Sequence, residues 1–127
     1  MPGYEIIDKS EKKAINDIFD NNELFYNGKR VKKFEQKFAK YVGVKYAVAV
    51  SSGTAAIKIA LKCLNIKPGD EVITQSFTFI ATVEAIIDIG AIPIITDIDD
   101  SLNMDVDDLE KKITNKTKAI IPVHMLG

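Results

Sequence analysis

The chain has 127 residues, 46% hydrophobic and 28% charged, which is typical of a soluble globular protein. Its formal net charge of −1 lacks the basic excess of a nucleic-acid-binding protein. Cys63 is the single cysteine, which excludes an internal disulfide and a cysteine-based zinc cluster. No apolar run approaches the roughly 20 residues of a membrane span, and the N-terminus carries no signal peptide. We therefore expect a cytoplasmic protein that binds no metal, nucleic acid or membrane.

The first third of the chain predicts two amphipathic helices. Apolar residues recur at helical spacing over positions 9–21, where Ser10 is a plausible N-cap and Lys13 leaves no capping box. A turn signal at Asn27-Gly28 precedes the second helix, over positions 29–41, and Gly43 ends that helix.

From position 46 onward, short apolar strands alternate with helices, a pattern that predicts an α/β fold with a mostly parallel sheet between flanking helices. Pro93 lacks an amide donor, so its strand belongs at or near a sheet edge. Asp105 is a predicted cap, with Asp108 closing a carboxylate version of the capping box, and Leu109 and Ile113 are expected to face inward. The predicted strands cover positions 46–50, 71–74, 92–95 and 117–123, and the helices between them cover 55–64 and 79–89.

Ligands of such sheets bind where the strands end, and small residues follow the first predicted strand there. In Ser51-Ser52-Gly53-Thr54-Ala55, the first helical amides lack intrahelical partners and carry partial positive charge, so the turn suits a phosphate. The alternative is that a serine merely caps the helix while Gly53 relieves the turn, and the residues alone leave both open. G-x-G-x-x-G and G-x-x-x-x-G-K-[ST] are absent, so dinucleotide binding and ATP hydrolysis have no support.

Other candidate residues carry weaker signals. Phe79 follows the second predicted strand and could stack on a planar ring, although packing of Phe77 or Phe79 between sheet and helix is the commoner outcome. His124 has no visible nucleophile partner and is interpreted as a hydrogen-bonded structural residue, so no catalytic residue is assigned. The acidic stretch over positions 97–108 lacks the calcium-loop pattern and indicates helix capping. Cys63 is expected on a buried helix face.

Taken in order, five segments resemble the DegT/DnrJ/StrS nucleotide-sugar aminotransferases, which are fold type I pyridoxal-phosphate enzymes. The resemblance spans positions 28–127 and rests on GKRVKKFE at 28–35, AVAVSSGTAA at 47–56, GDEVIT with SFTF within 69–79, GAIP at 90–93 and TKAIIPVH at 117–124. It implies that residues 1–127 are the N-terminal part of the large, cofactor-binding domain of the aspartate-aminotransferase-like fold, without the rest of that domain or the small domain.

The resemblance also implies a cofactor and roles for individual residues. Pyridoxal 5′-phosphate would be held at its phosphate by Ser52, Gly53, Thr54 and Ala55, and Phe79 would stack on its pyridine ring. The segment 26–28 would lie near an active site shared across a homodimer. The implied reaction transfers an amino group, usually from glutamate, to a nucleotide-linked keto-sugar, as in polysaccharide biosynthesis.

Two residues that the family needs are not among these 127. The resemblance puts both the acid that pairs with the pyridine nitrogen and the Schiff-base lysine beyond Gly127, in chains about three times longer. We therefore predict that this chain alone does not transaminate and binds the cofactor weakly or not at all. The alternatives are a non-catalytic phosphate-ligand module completed by a second chain, a truncated product, or another fold type I enzyme such as a decarboxylase or desulfurase.

Overall fold

The structure is a computed structural model that describes residues 6–23 and 28–126. The chain divides into two compact units, residues 1–49 and residues 50–127. None of the helices in the described part of the chain is long and apolar enough to cross a lipid bilayer. The described helices are α1 (Lys9–Asp20), α2 (Lys29–Val42), α3 (Gly53–Cys63), α4 (Ala81–Asp88) and α5 (Val106–Lys112), and the strands are β1 (Glu71–Gln75), β2 (Ile92–Thr96) and β3 (Thr117–Ile121).

The first unit contains both predicted amphipathic helices. At α1, Asp8 is the N-cap: its carboxylate accepts from the Ser10 amide at 2.6 Å, and Glu11 accepts from the Asp8 amide at 2.8 Å. The predicted cap at Ser10 was therefore wrong, because the capping box begins two residues earlier. The second helix ends at Gly43 as predicted, and the left-handed backbone there (φ 80°) is the conformation that favours glycine. Asn27 of the predicted turn, and Tyr26 of the segment expected near a shared active site, lie outside the described residues.

The apolar run at positions 46–50 does not form the predicted strand. Tyr46 and Val48 are 74% and 79% exposed, and the Ala49 amide donates to the Glu35 carboxylate at 2.9 Å. A strand requires a neighbouring backbone to complete its hydrogen-bond ladder, and no strand among residues 6–23 and 28–126 pairs with this run. The prediction failed because apolar composition supplies the side chains of a strand but not its partner.

The other three predicted strands form one parallel sheet in the second unit. β1 is central, with β2 on one side and β3 on the other, and both pairings are parallel. The predicted parallel α/β architecture is confirmed, with three strands in place of four among the residues that the structure describes. β2 lies at an edge of this sheet, as Pro93 predicted.

The core of the second unit shows how the helices run relative to the sheet. Leu61 near the end of α3, Ile86 near the end of α4 and Val72 near the start of β1 belong to one buried cluster. Both helices therefore run antiparallel to β1 and begin near the C-terminal ends of the strands, as expected for helices that cover a parallel sheet. A Lys58–Asp88 ion pair adds a contact between α3 and α4. The buried members of the cluster are Leu61, Ile66, Val72, Ile86, Ile89 and Ala91.

Helix α5 confirms the predicted cap and corrects the predicted capping box. The Asp105 carboxylate accepts from the amides of Asp107 and Asp108 at 2.8 and 3.1 Å. The Asp108 carboxylate does not accept from the Asp105 amide, as a capping box requires. It accepts instead from the Lys112 ammonium at 2.7 Å and from the Asp97 amide at 2.8 Å. The hydrogen bond from Lys112 is the main reason that the pKa of Asp108 lies below its ordinary value.

Two burial predictions fail at helix ends. Cys63 is the last residue of α3 and is exposed rather than buried. Ile113 lies just beyond α5 and is 50% exposed, whereas Leu109 within the helix is partly buried as expected. Helical periodicity assigns a face only while the helix continues, and both residues sit where it stops.

Candidate functional site

The start of α3 leaves two backbone amides without an acceptor in the part of the chain that the structure describes. Ser52 is the N-cap, and its hydroxyl oxygen accepts from the Ala55 amide at 3.1 Å while its carbonyl accepts from the Ala56 amide at 3.0 Å. The amides of Gly53 and Thr54 have no hydrogen-bond acceptor among the described residues. Capping by serine is therefore observed, and it accounts for only part of the helix start.

The space in front of these amides suits an anion. A methyl group at Gly53 would meet no atom within 4 Å, so a ligand can approach the backbone closely. The first turn of α3 contains no acidic residue that would compete for the positive end of the helix dipole. Two unpaired amides at an open helix start match what a phosphate ester requires. The Ala55 amide, also predicted as a donor, is already bonded to Ser52.

Phe79 lies in the loop between β1 and α4, and its side chain faces solvent. Phe79 is 70% exposed, whereas Phe77 in the same loop is 36% exposed. The packing alternative therefore does not describe Phe79. The loop backbone is anchored at both ends, since the Ser76 amide donates to the Thr96 carbonyl at 2.9 Å and the Thr82 amide donates to the Phe79 carbonyl at 3.0 Å. An exposed ring on an anchored backbone is a suitable platform for stacking.

A buried glutamine, to which the sequence assigned no role, connects the loops at this end of the sheet. Gln75 is the last residue of β1, and its side chain is fully buried (0% exposed). Its side-chain nitrogen donates to the carbonyls of Phe77 at 3.1 Å and Leu102 at 3.4 Å, and its oxygen accepts from the Val123 amide at 3.0 Å. The segments that follow all three strands therefore meet here, as the parallel arrangement predicted. The only signal in the sequence is a polar residue that ends an apolar strand.

The single histidine lies beside a mostly apolar cleft in the second unit. The cleft has a volume of about 290 Å³, and no serine or cysteine lines its described part. His124 is exposed and has no polar partner among the described residues, so the expected hydrogen-bonded structural role was wrong, and the described part of the cleft shows no nucleophile–base pair. Within residues 6–23 and 28–126, no group of three or more His, Cys, Asp or Glu residues could hold a metal ion. The lining residues are Gln75, Asn103, Met104, Val106, Leu109, Ile120, Pro122, Val123 and His124.

The parallel sheet and the open helix start define the second unit as an α/β fold with a candidate phosphate site. Comparison with known proteins gives the family. The chain belongs to the DegT/DnrJ/EryC1/StrS aminotransferase family, whose family model matches residues 5–127. The resemblance inferred from the five sequence segments is thereby confirmed.

Relatives of known name cover nearly all of the chain. GDP-perosamine synthase of Vibrio cholerae is 41% identical over 129 residues, which span 100% of this chain and 35% of that protein. The solved aminotransferase of Psychrobacter cryohalolentis has a TM-score of 0.89 at 35% identity and covers 95% of this chain, which matches 31% of that structure. The Escherichia coli GDP-4-keto-6-deoxy-D-mannose-3-dehydratase with bound hydrated PLP (pyridoxal phosphate) has a TM-score of 0.85 at 37% identity, over 95% of this chain and 33% of that one. The chain thus spans about a third of the length of these proteins.

Proposed function

We propose that this chain is the N-terminal part of the cofactor-binding large domain of a pyridoxal-phosphate-dependent sugar aminotransferase. The whole enzyme would transfer an amino group from glutamate to a nucleotide-linked keto-sugar in the cytoplasm, as a homodimer. Family membership over residues 5–127 supports this assignment. The observation that carries it is the pair of unpaired amides, those of Gly53 and Thr54, at the open start of α3.

In this proposal, the residues at the start of α3 bind the cofactor phosphate. The Gly53 and Thr54 amides donate to its oxygens, and each hydrogen bond to a charged group contributes about 1.5–3 kcal/mol. The Ser52 hydroxyl oxygen accepts from Ala55, so its own proton is free for a third bond to the phosphate. The absence of a side chain at Gly53 lets the phosphate approach the backbone.

Phe79 would orient the ring of the same cofactor. Both α3 and α4 begin at the C-terminal end of the strands. The loop that carries Phe79 leads from β1 into α4, so it lies at the same end of the sheet as the start of α3. Its exposed ring can cover one face of the pyridine and exclude water from that face. When bound, the cofactor supplies the electron sink for amino transfer. The chain's own residues bind and orient it.

We further propose that these 127 residues by themselves bind the cofactor weakly, through its phosphate and its ring, and do not transfer the amino group. The family resemblance puts the lysine and the acid needed for the reaction beyond position 127. An aminotransferase and a dehydratase share this part of the fold at TM-scores of 0.89 and 0.85, which supports a role common to different reactions. Binding and orientation of the cofactor is such a role.

Pyridoxamine 5′-phosphate is the probe that tests the phosphate assignment, because it cannot form Schiff bases with the lysines of the chain. We expect saturable binding, at least about tenfold tighter than that of pyridoxamine without the phosphate, and competition by inorganic phosphate. Equal affinity for the two amines would overturn the assignment. Incubation with glutamate, cofactor and a nucleotide keto-sugar is expected to yield no amino sugar. Formation of an amino sugar would contradict the proposal that these residues bind the cofactor without transferring the amino group.

A further inference from the structure

We propose that Gln75 is a positioning residue for Phe79. Its buried side-chain amide holds the loop at positions 76–80, which carries the aromatic ring, against the segments that follow β2 and β3. The inference rests on the proposed function, because that function assigns Phe79 to the cofactor ring. It adds a residue that touches neither the phosphate nor the pyridine and acts only through the loop.

The hydrogen bonds of Gln75 require an amide in one orientation. The Phe77 and Leu102 carbonyls need donors, and the Val123 amide needs an acceptor, at 3.1, 3.4 and 3.0 Å from the side chain. A flipped amide would place like groups against one another at all three contacts, so the bonding pattern determines which atom is nitrogen. Glutamate would lose both donors, and asparagine is one methylene shorter. Glutamine meets all three requirements at this position.

The contact with Phe77 is the one that reaches the aromatic platform. Phe77 lies two residues before Phe79, and the Phe79 side chain is 70% exposed, so little packing holds the ring itself. The orientation of the ring therefore depends on the backbone that carries it. Gln75 holds this backbone from the sheet side. Thr82 holds it from α4, because the Thr82 amide donates a hydrogen bond to the Phe79 carbonyl at 3.0 Å.

The neighbouring residue in β1 provides a matched control. Thr74 is also 0% exposed, and its hydroxyl donates to the Ile121 carbonyl at 3.0 Å. This bond joins β1 to β3, and the bond from Val123 to Gln75 joins β1 to the segment just after β3, but the Thr74 hydroxyl makes no hydrogen bond with positions 76–80. Thr74→Val therefore removes a buried side-chain hydrogen bond from the same strand and leaves the loop contact in place.

The chain contains no tryptophan, so Phe79→Trp creates a single fluorescent reporter at the ring position. In that background, and without cofactor, we expect Gln75→Met to increase the amplitude of the fast component of the fluorescence anisotropy decay about twofold, because the loop that carries the reporter is then less restrained. Thr74→Val should leave the decay unchanged. With Phe79 retained, Gln75→Met should weaken pyridoxamine 5′-phosphate binding about tenfold, and Thr74→Val less than about twofold.

An unchanged decay in Gln75→Met, or an equal change in Thr74→Val, would overturn the positioning role. If the loop loosens in Gln75→Met while wild-type protein shows no preference for the phosphate ester, the positioning role stands and the proposed function fails.

A measurement on the wild-type chain covers the case in which Gln75→Met does not fold. The sequence has two glutamines, and Gln36 is exposed. We expect the side-chain amide protons of Gln75 to exchange with solvent about 100-fold more slowly than those of Gln36. Equal exchange rates in the NMR spectrum would show that Gln75 is not held, and would overturn the inference.

Discussion

Replacing Gly53 with proline removes one of the two unpaired amides at the start of α3 and should leave the helix intact. Proline is favoured at the first position of a helix, where its missing N–H would have no helical partner. The residue before a proline must be extended, and Ser52 already is, with φ −163° and ψ 166°. A methyl group at Gly53 meets no atom within 4 Å, which indicates room for the ring.

The expected effects on binding and stability have opposite signs. Loss of one hydrogen bond to a charged phosphate removes about 1.5–3 kcal/mol, which corresponds to roughly 10- to 150-fold weaker binding of pyridoxamine 5′-phosphate. Proline also restricts the unfolded chain, so the free energy of unfolding should rise by about 0.4–1 kcal/mol. Titration calorimetry gives the first quantity, and urea denaturation followed by circular dichroism gives the second.

Two control variants separate the lost donor from the added bulk. Gly53→Ala keeps the amide and adds a methyl group, so its affinity should fall less than that of Gly53→Pro. Val106→Pro places proline at the first position of α5, after Asp105 with extended backbone (φ −69°, ψ 116°), and should leave affinity unchanged. Wild-type affinity in Gly53→Pro, with the helix content intact, would refute the phosphate assignment.

Three further predictions concern stability. Gly90→Ala should lower the free energy of unfolding in urea by about 1–3 kcal/mol, because Gly90 has φ 81° and a methyl group there would lie 3.0 Å from a neighbouring side chain; Gly53→Ala should show no such loss. Ile86→Ala should cost about 2–5 kcal/mol in the same assay, because Ile86 is 0% exposed in the core. Lys112 holds the pKa of Asp108 below its unfolded value of about 3.9, so the ionised carboxylate stabilises the fold above that pH and the contribution disappears as pH falls through the folded pKa. The difference in Tm between wild type and Asp108→Asn should therefore shrink from pH 6 to pH 3, and a constant difference would contradict this account.

The sequence by itself determined the features that depend on local chemistry. Gly43 ends α2, Asp105 caps α5 and Pro93 lies in an edge strand, because backbone conformation, side-chain capping and a missing amide are properties of residues close in the chain. The alternation of short apolar strands with helices predicted the parallel sheet, because parallel strands need a crossover connection between them. Residue order also identified the family, and with it the expected roles of Gly53 and Phe79.

Tertiary structure decided the features that depend on distant partners. Positions 46–50 look like a strand but find no neighbouring backbone among the described residues, and the Ala49 amide bonds instead to the Glu35 side chain, 14 positions earlier. Gln75 bonds to Leu102 and Val123, which are 27 and 48 positions away along the chain. Rules based on neighbouring residues cannot predict contacts between positions so far apart, because only the folded sheet brings the ends of its strands together.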